Sequence, residues 1–253
     1  ILFNSRYNRE TFLDGSARLL GRLPDRVPSG VVAALEKKSD ILPVPIEEAV
    51  DRPTRPYWPG PGATRGQGPL RLLWVGRFEH DKGGEGLHAI LARLDAVGLD
   101  YELAVTGQQF RDSPAVFAAI RDDYAHRLVQ FGYLEDTARY RGLLAAADIV
   151  LSTARHEFQG LAVLEAVSLG CHPVVPDRLA YREIYPDRCR YVSDPEDPAK
   201  EARSAAQLIM ATAAALQAGS SGPPDITAYG TRNLAPRYER ILRQCVAGRD
   251  GQP

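Results

Sequence analysis

Two carboxylates eight residues apart, Glu157 and Glu165, flank a glycine in the run D-I-V-L-S-T-A-R-H-E-F-Q-G-L-A-V-L-E from Asp148 to Glu165. Ile149, Val150 and Leu151 read as a buried strand that ends at Ser152 and Thr153, and Leu161 to Leu169 reads as a helix entered from Gly160. The first N–H groups of such a helix, near Gly160, Leu161 and Ala162, have no partner inside it. With the positive end of the helix dipole they suit an anion, a phosphate above all. A glycine at the entry lets a ligand approach the backbone. A carboxylate on each side could accept hydrogen bonds from hydroxyl groups. Diphosphate between two sets of hydroxyls describes a sugar nucleotide. The same pattern is also that of an ordinary strand–loop–helix unit with two solvated glutamates, and spacing alone does not separate the two.

A second polar turn, Gly76-Arg77-Phe78-Glu79-His80-Asp81-Lys82-Gly83, follows the apolar run Leu70 to Val75. Arg77 and Lys82 could clamp a diphosphate and stabilise it as a leaving group. Taken without context they pair with Glu79 and Asp81 in a solvated turn. His156, beside Glu157, could carry a proton, but a lone histidine beside a glutamate is more often hydrogen-bonded structure, and His80 is treated the same way. Glu183 fits the start of a short helix. Arg178, Arg182, Arg188 and Arg190 are interleaved with Asp177, Glu183 and Asp187, which favours a neutralised surface over a polyanion site.

Other chemistries find no support. There is no D-x-D pair and no His/Glu cluster at metal spacing, so no metal is expected. No G-x-G-x-x-G follows a strand, and G-x-x-x-x-G-K-[ST] and G-x-S-x-G are absent, which counts against a dinucleotide oxidoreductase, a P-loop NTPase and an α/β-hydrolase. Net charge is −1, so no overall pull toward nucleic acid or anionic lipid follows. Cys171, Cys189 and Cys245 have no C-x-x-C spacing, which suits a reducing cytosol. No apolar run approaches the roughly 20 residues of a membrane span, and a cytoplasmic location is expected.

The elements that must position these groups alternate. Strands are expected at Leu70–Val75, Tyr101–Thr106, Leu128–Phe131, Ile149–Leu151, His172–Val175 and Arg190–Val192. Helices are expected at Glu85–Val97, Pro114–Ala125, Thr137–Ala146, Leu161–Leu169 and Pro198–Ala218. Strands alternating with helices imply an α/β fold, a Rossmann-like parallel sheet with helices on both faces. Such sheets bind ligands beyond the carboxyl ends of their strands, and the turns after Val75, Thr106, Phe131 and Leu151 all fall on that rim.

Before the sheet, Ile1–Phe3 reads as a strand end, Ser5 as a helix cap, Val31–Ser39 as a helix, and Ile41–Ile46 as an extended run kept out of a central strand by two prolines. Residues 51–69, with five prolines and four glycines, read as a flexible loop. Leu234–Val246 reads as a last helix capped by Asn233, with Pro236 tolerable in its first turn. The expected division is 1–40, the last strand and helix of an N-terminal domain; 41–225, a donor nucleotide-sugar domain; 226–247, a helix crossing back to the first; and 248–253, a disordered tail. The chain begins at Ile1 inside a strand, so most of the N-terminal acceptor domain is expected to lie outside it, and the chain alone is expected to be inactive.

The ordered set Gly76-Arg77, Lys82-Gly83, Gly132, Ser152, Glu157-Phe158-Gln159-Gly160 and Glu165-Ala166 resembles the donor-binding C-terminal half of GT-B retaining glycosyltransferases (glycosyltransferase group 1, family 4-like). Phe3-Asn4-Ser5 with Tyr7-Asn8, Phe78 to Lys82, His156-Glu157-Phe158, Gly170-Cys171-His172-Pro173 and Tyr181 to Pro186 are similar to the tRNA-queuosine α-mannosyltransferase group within it. The resemblance implies that Arg77, Lys82 and the backbone from Gly160 through Leu161 and Ala162 hold the donor diphosphate. It implies that Glu157, beside Phe158, bonds sugar hydroxyls as the catalytic-side carboxylate, and that Glu165 bonds the ribose. It further implies retention at the anomeric carbon without metal or cofactor, with GDP-mannose as donor and queuosine in a tRNA anticodon as acceptor. Other donors, a glycan or lipid acceptor, and a non-catalytic nucleotide-sugar binding module remain open.

Overall fold

A computed structural model describes residues 1–24, 27–47, 57–58 and 68–247. The chain forms two compact units, one of 1–48 with 227–253 and one of 49–226. The division falls after Glu48, so the Ile41–Ile46 segment, expected in the donor domain, belongs to the first unit.

In the first unit β1 (Leu2–Phe3) pairs in parallel with β2 (Asp40–Ile41) across two helices, α1 (Arg6–Leu20) and α2 (Val31–Lys37). The Ser5 side chain accepts the Asn8 N–H at 3.1 Å, the cap its position called for. The second unit is a six-stranded parallel sheet. Its strands are β3 (Leu70–Val75), β4 (Tyr101–Thr106), β5 (Leu128–Gly132), β6 (Ile149–Leu151), β7 (His172–Pro176) and β8 (Arg190–Tyr191), in spatial order β5-β4-β3-β6-β7-β8. The connecting helices are α3 (Gly84–Ala96), α4 (Ala115–Asp123), α5 (Thr137–Ala146), α6 (Leu161–Ser168), the short α7 (Tyr181–Ile184) and α8 (Pro198–Gln217). The strands are apolar runs because both sheet faces are covered. Leu72, Leu103 and Ile149 are fully buried in one core with Leu87, Ile90 and Leu94 of α3. The alanine stripe of α8 (Ala202, Ala205, Ala206, Ala213) joins this core beside α3, with Ile209 filling between its small side chains.

The order of the strands places the site. The chain starts in the middle at β3, runs outward through β4 and β5, then returns to pair β6 with the other side of β3. Register Leu72↔Ile149, Leu73↔Val150 and Trp74↔Leu151 makes β3 and β6 neighbours although 73 residues separate Val75 from Ile149. This is the point where strand order reverses, and a crevice opens there beyond the strand ends. Asp148 fixes the register at the other end: its carboxylate accepts the Arg71 N–H at 2.9 Å, and its own N–H donates to the Arg71 carbonyl at 2.9 Å.

Of the expected 51–69 loop, only Tyr57, Trp58, Gly68 and Pro69 fall within the described residues. Trp58 is 4% exposed, and its indole N–H donates to Glu102. Tyr57 stacks under the Arg139 guanidinium, 4.3 Å from ring centroid to Cζ. These two aromatics pack within the second unit, against β4 and α5, which the proline and glycine count around them hid. The expected tail 248–253 lies outside the described residues.

The last helix, α9, runs Thr231–Ala247 in the first unit and begins three residues earlier than its sequence pattern suggests. Pro236 therefore lies inside the helix and beyond its first turn, where it cannot donate a helical hydrogen bond. Asn233 is not the cap; its side-chain amide donates to the Thr227 carbonyl at 2.7 Å. Tertiary ties hold the helix despite the proline. Leu234 is buried, Arg237 donates to the Ile41 carbonyl at 2.7 Å, and the Tyr238 hydroxyl donates to that of Pro43 at 3.0 Å. Among the described residues no helix is long and apolar enough to cross a membrane.

Candidate functional site

The turn after β3 and the loop after β6 meet at the reversal point and enclose a cavity of about 220 Å³. Arg77, Lys82, Glu157, Gly160, Leu161 and Ala162 line it. Six of the residues singled out from the sequence thus come together around one cavity.

Local structure explains why. Under the first turn lies an aromatic stack: Phe78 lies flat on Phe117 at 4.3 Å between ring centroids, and Trp74 and Phe131 meet Phe78 edge-on. Buried Phe78 anchors the turn and leaves its polar neighbours at the rim. The turn ends at Gly83, with φ +71°, where a Cβ would stand 2.1 Å from the Thr153 carbonyl oxygen. Only glycine both adopts that conformation and allows the approach. Thr153 then locks the two loops together. Its hydroxyl accepts the Trp74 indole N–H at 3.0 Å and donates to the Lys82 carbonyl at 2.9 Å.

The second loop ends at Gly160, which sits at the N-terminus of α6 with φ +73°. A Cβ there would meet Tyr181 Cε1 at 2.8 Å. The Tyr181 ring is buried, and its hydroxyl shares a 2.8 Å hydrogen bond with Ser152 Oγ. Burial pushes the Tyr181 phenol well above its ordinary value, and the nearby Glu157 charge adds to the shift. The first intrahelical bond of α6 runs from the Leu164 N–H to the Gly160 carbonyl at 3.0 Å, so the N–H groups of Leu161, Ala162 and Val163 precede the helical ladder at the cavity wall.

Of the two cations that line the cavity, Lys82 is the more firmly held. Its side chain is 16% exposed, and Nζ lies 3.1 Å from Glu157 Oε2, 3.1 Å from Asp81 Oδ2 and 3.3 Å from the His156 carbonyl oxygen. Arg77 is exposed and pairs with Glu79 at 3.0 Å. The ordinary pairings weighed from the sequence are thus both present, and Lys82 adds a cross-loop bond to Glu157 that sequence proximity did not suggest. Glu157 Oε1 accepts the N–H groups of Phe158 at 3.0 Å and Gln159 at 3.5 Å. The carboxylate is therefore fixed between an ammonium and two backbone donors, with lone pairs to spare. An anion entering here competes with Glu79 for Arg77 and with Asp81 and Glu157 for Lys82.

Two predicted residues stand outside the lining. Phe158 contributes its N–H to Glu157, and its ring meets the exposed His156 ring edge-on at 4.6 Å. Glu165 lies one helical turn along α6 from Leu161, where Oε2 accepts the Tyr140 hydroxyl of α5 at 3.1 Å. Sequence reasoning missed the roles of Tyr140 and Thr153, and read Arg178 only as one of a neutralised cluster, because their partners lie on other elements. Arg178 donates to the Ala154 carbonyl at 2.9 Å, to Ser193 at 2.8 Å and to Glu201 at 2.7 Å, tying the β6 loop to α8. Arg182 and Arg190 pair with Asp177, and Arg190 also pairs with Asp187, so acids neutralise these two members of the arginine cluster.

A family model described as glycosyl transferases group 1 matches residues 69–211, which hold the sheet and the cavity. The chain belongs to this family. A second model, tRNA-queuosine alpha-mannosyltransferase N-terminal, matches residues 1–46. The chain is 34% identical over 199 residues to the tRNA-queuosine alpha-mannosyltransferase of Drosophila melanogaster, covering 76% of this chain and 51% of that protein. It is 26% identical over 180 residues to a GDP-mannose-dependent alpha-(1-6)-phosphatidylinositol dimannoside mannosyltransferase of Mycobacterium tuberculosis, 71% of this chain and 39% of that one. The chain thus spans about half, or less, of the length of these curated relatives. Sucrose-phosphate synthase from Thermosynechococcus elongatus superposes with a TM-score of 0.61 at 16% identity, over 98% of this chain and 58% of that one. WaaG, a glycosyltransferase involved in lipopolysaccharide biosynthesis, superposes with a TM-score of 0.56 at 20% identity, over 90% and 60%. These likenesses establish the fold, the Rossmann-like sheet of GT-B glycosyltransferases.

Proposed function

We propose that this chain carries the nucleotide-sugar site of a mannosyltransferase that moves mannose from GDP-mannose to a hydroxyl of queuosine in tRNA. One observation carries the acceptor: the match of residues 1–46 to the tRNA-queuosine alpha-mannosyltransferase N-terminal model, in the same chain as the group 1 match. The Drosophila relative supports it. The donor rests on the mycobacterial relative, whose name states GDP-mannose dependence.

In this proposal the diphosphate lies against the N–H groups of Leu161 to Val163, with Lys82 and Arg77 as counter-charges. Because these donors are already held in place, charge building on the leaving diphosphate meets little reorganisation. Glu157, beside Lys82 at 3.1 Å, accepts from hydroxyls of the transferred sugar. Glu165, one turn along α6 on the face of Leu161, bonds the ribose. Transfer proceeds with retention and with protein cations in the role a metal would otherwise fill. The tRNA is the macromolecular partner, and the location is the cytoplasm.

The test is calorimetric titration with GDP, UDP, GDP-mannose and UDP-glucose, followed by a mannose-transfer assay on queuosine-containing tRNA. Selective binding of the guanosine compounds with label transferred to tRNA is expected. Selective uridine binding overturns the donor. Transfer only to lipid, the acceptor in the name of the mycobacterial relative, overturns the tRNA assignment.

A further inference from the structure

Tyr140 lies on α5, outside both loops that build the cavity, yet its hydroxyl donates to Glu165 Oε2 at 3.1 Å. Its backbone is well fixed. Asp136 caps α5 by accepting the N–H groups of Ala138 at 2.8 Å and Arg139 at 3.3 Å, and the Tyr140 N–H makes the first helical bond, to the Asp136 carbonyl at 3.0 Å. The phenol sits at the end of a rigid ring with two rotatable bonds on a capped first turn, half-buried, and has little freedom. Glu165 is the opposite case. It is a long, flexible side chain on a partly exposed face of α6, and it must give up rotamer freedom before it can hold a ligand.

Glu165 follows Leu161 by four residues, so the two share a face, with Leu161 at the cavity and Glu165 about 6 Å further along the helix axis. A nucleoside diphosphate with its phosphates at the helix N-terminus places its ribose at about that distance. We infer that Tyr140 is a positioning residue that holds one oxygen of the Glu165 carboxylate and leaves the other to the ribose hydroxyls. This rests on the assignment of Glu165 to the ribose in the proposed function. Burial, with the Glu165 charge second, pushes the Tyr140 phenol far above its ordinary value, so it stays a donor at any physiological pH. A tyrosine hydroxyl donates one proton only. The Tyr140 bond therefore engages one carboxylate oxygen and leaves the second outside it, which fits a carboxylate used from one side.

The experiment is calorimetric titration of the full chain with GDP, 2′,3′-dideoxy-GDP and inorganic pyrophosphate, for wild type, Glu165→Ala, Tyr140→Phe and the double variant. Wild type is expected to prefer GDP over the dideoxy compound by roughly tenfold or more. Glu165→Ala is expected to abolish that preference. Tyr140→Phe, which keeps the ring and its packing, is expected to reduce the preference by roughly threefold to tenfold through GDP alone. Pyrophosphate affinity is expected to stay unchanged, and Tyr140→Phe should add nothing to Glu165→Ala. If wild type or Glu165→Ala fails to behave so, the ribose role of Glu165 is wrong. If Glu165→Ala removes the preference and Tyr140→Phe keeps all of it, Tyr140 does not position Glu165. Equal weakening of all three ligands by Tyr140→Phe also overturns the inference, because it marks a general structural role.

Discussion

Replacing Gly160 with alanine tests the construction of the anion site through a constrained backbone position at the entry to α6. Gly160 has φ +73°, and a Cβ would stand 2.8 Å from Cε1 and 3.3 Å from the hydroxyl oxygen of Tyr181. Tyr181 cannot yield easily: its ring is 1% exposed and its hydroxyl is bonded to Ser152. Gly98 provides the matched control, with φ +70° and nothing within 4 Å of its Cβ position. Gly98→Ala therefore isolates the left-handed backbone, at about 1–2 kcal/mol. Gly160→Ala adds overpacking of about 1–3 kcal/mol, for a total of about 2–5 kcal/mol. At about 2–4 °C per kcal/mol for a domain of this size, Tm falls by about 2–8 °C in Gly98→Ala and about 4–20 °C in Gly160→Ala. The assay is thermal unfolding of wild type and both variants, with GDP titration alongside. GDP affinity is expected to drop at least roughly tenfold in Gly160→Ala, a loss of about 1.4 kcal/mol, because the Leu161 to Val163 donors shift, and to hold in Gly98→Ala. Equal Tm losses in the two variants would refute the rigid tyrosine wall. A large Tm loss with undiminished GDP affinity would refute the placement of the diphosphate at α6.

Lys82→Met removes the cation between Asp81 and Glu157; GDP affinity is expected to fall by about tenfold to a hundredfold, from a loss of about 1.5–3 kcal/mol, with guanosine much less affected. Calorimetry of the two ligands measures the difference. Arg178→Met breaks a largely buried pair with Glu201 and is expected to destabilise the protein by about 3–5 kcal/mol in urea unfolding, while Arg178→Met with Glu201→Met recovers most of the loss. Tyr101, Tyr140, Tyr181 and Tyr191 all have phenols pushed above the ordinary value of 10.0, chiefly by burial. The folded chain keeps these protons where the unfolded chain loses them. Stability is therefore held below pH 10 and falls as pH rises above it. Urea midpoints at pH 8 and pH 10.5 check this, and Tyr181→Phe is expected to shallow the decline.

Much of the sheet is legible in the sequence because its cause is local. Both faces of a parallel strand are covered, so Ile149–Leu151 is wholly apolar, Leu70–Val75 is apolar except for Arg71 and Tyr101–Thr106 except for Glu102 and Thr106, and the strands formed as read. Gly160 is legible for a similar reason, since a helix entered directly from a strand loop needs a residue that tolerates positive φ there. Failures arose where distant partners override local pattern. Pro236 argued for a helix starting later than Thr231, but bonds from Arg237 and Tyr238 to the Ile41–Pro43 backbone hold the longer helix. The proline and glycine count of 51–69 concealed Trp58, whose burial depends on Glu102 in a strand the local sequence cannot point to.

By itself the sequence determined which residues could form an anion site, because residue type and short spacing decide which groups share a loop or a helix face. It did not decide that the site exists as one place. That required β6 to return beside β3, so that Lys82 reaches Glu157 across 75 residues and Thr153 bonds both Trp74 and the Lys82 carbonyl. The partners of Glu165 and of the Ala154 carbonyl were settled the same way, by α5 and by Arg178. The physical reason is that spacing along a chain sets direction only over a turn or a strand. Which strands become neighbours is set by how whole helices bury their apolar faces against the sheet, and no short motif carries that information.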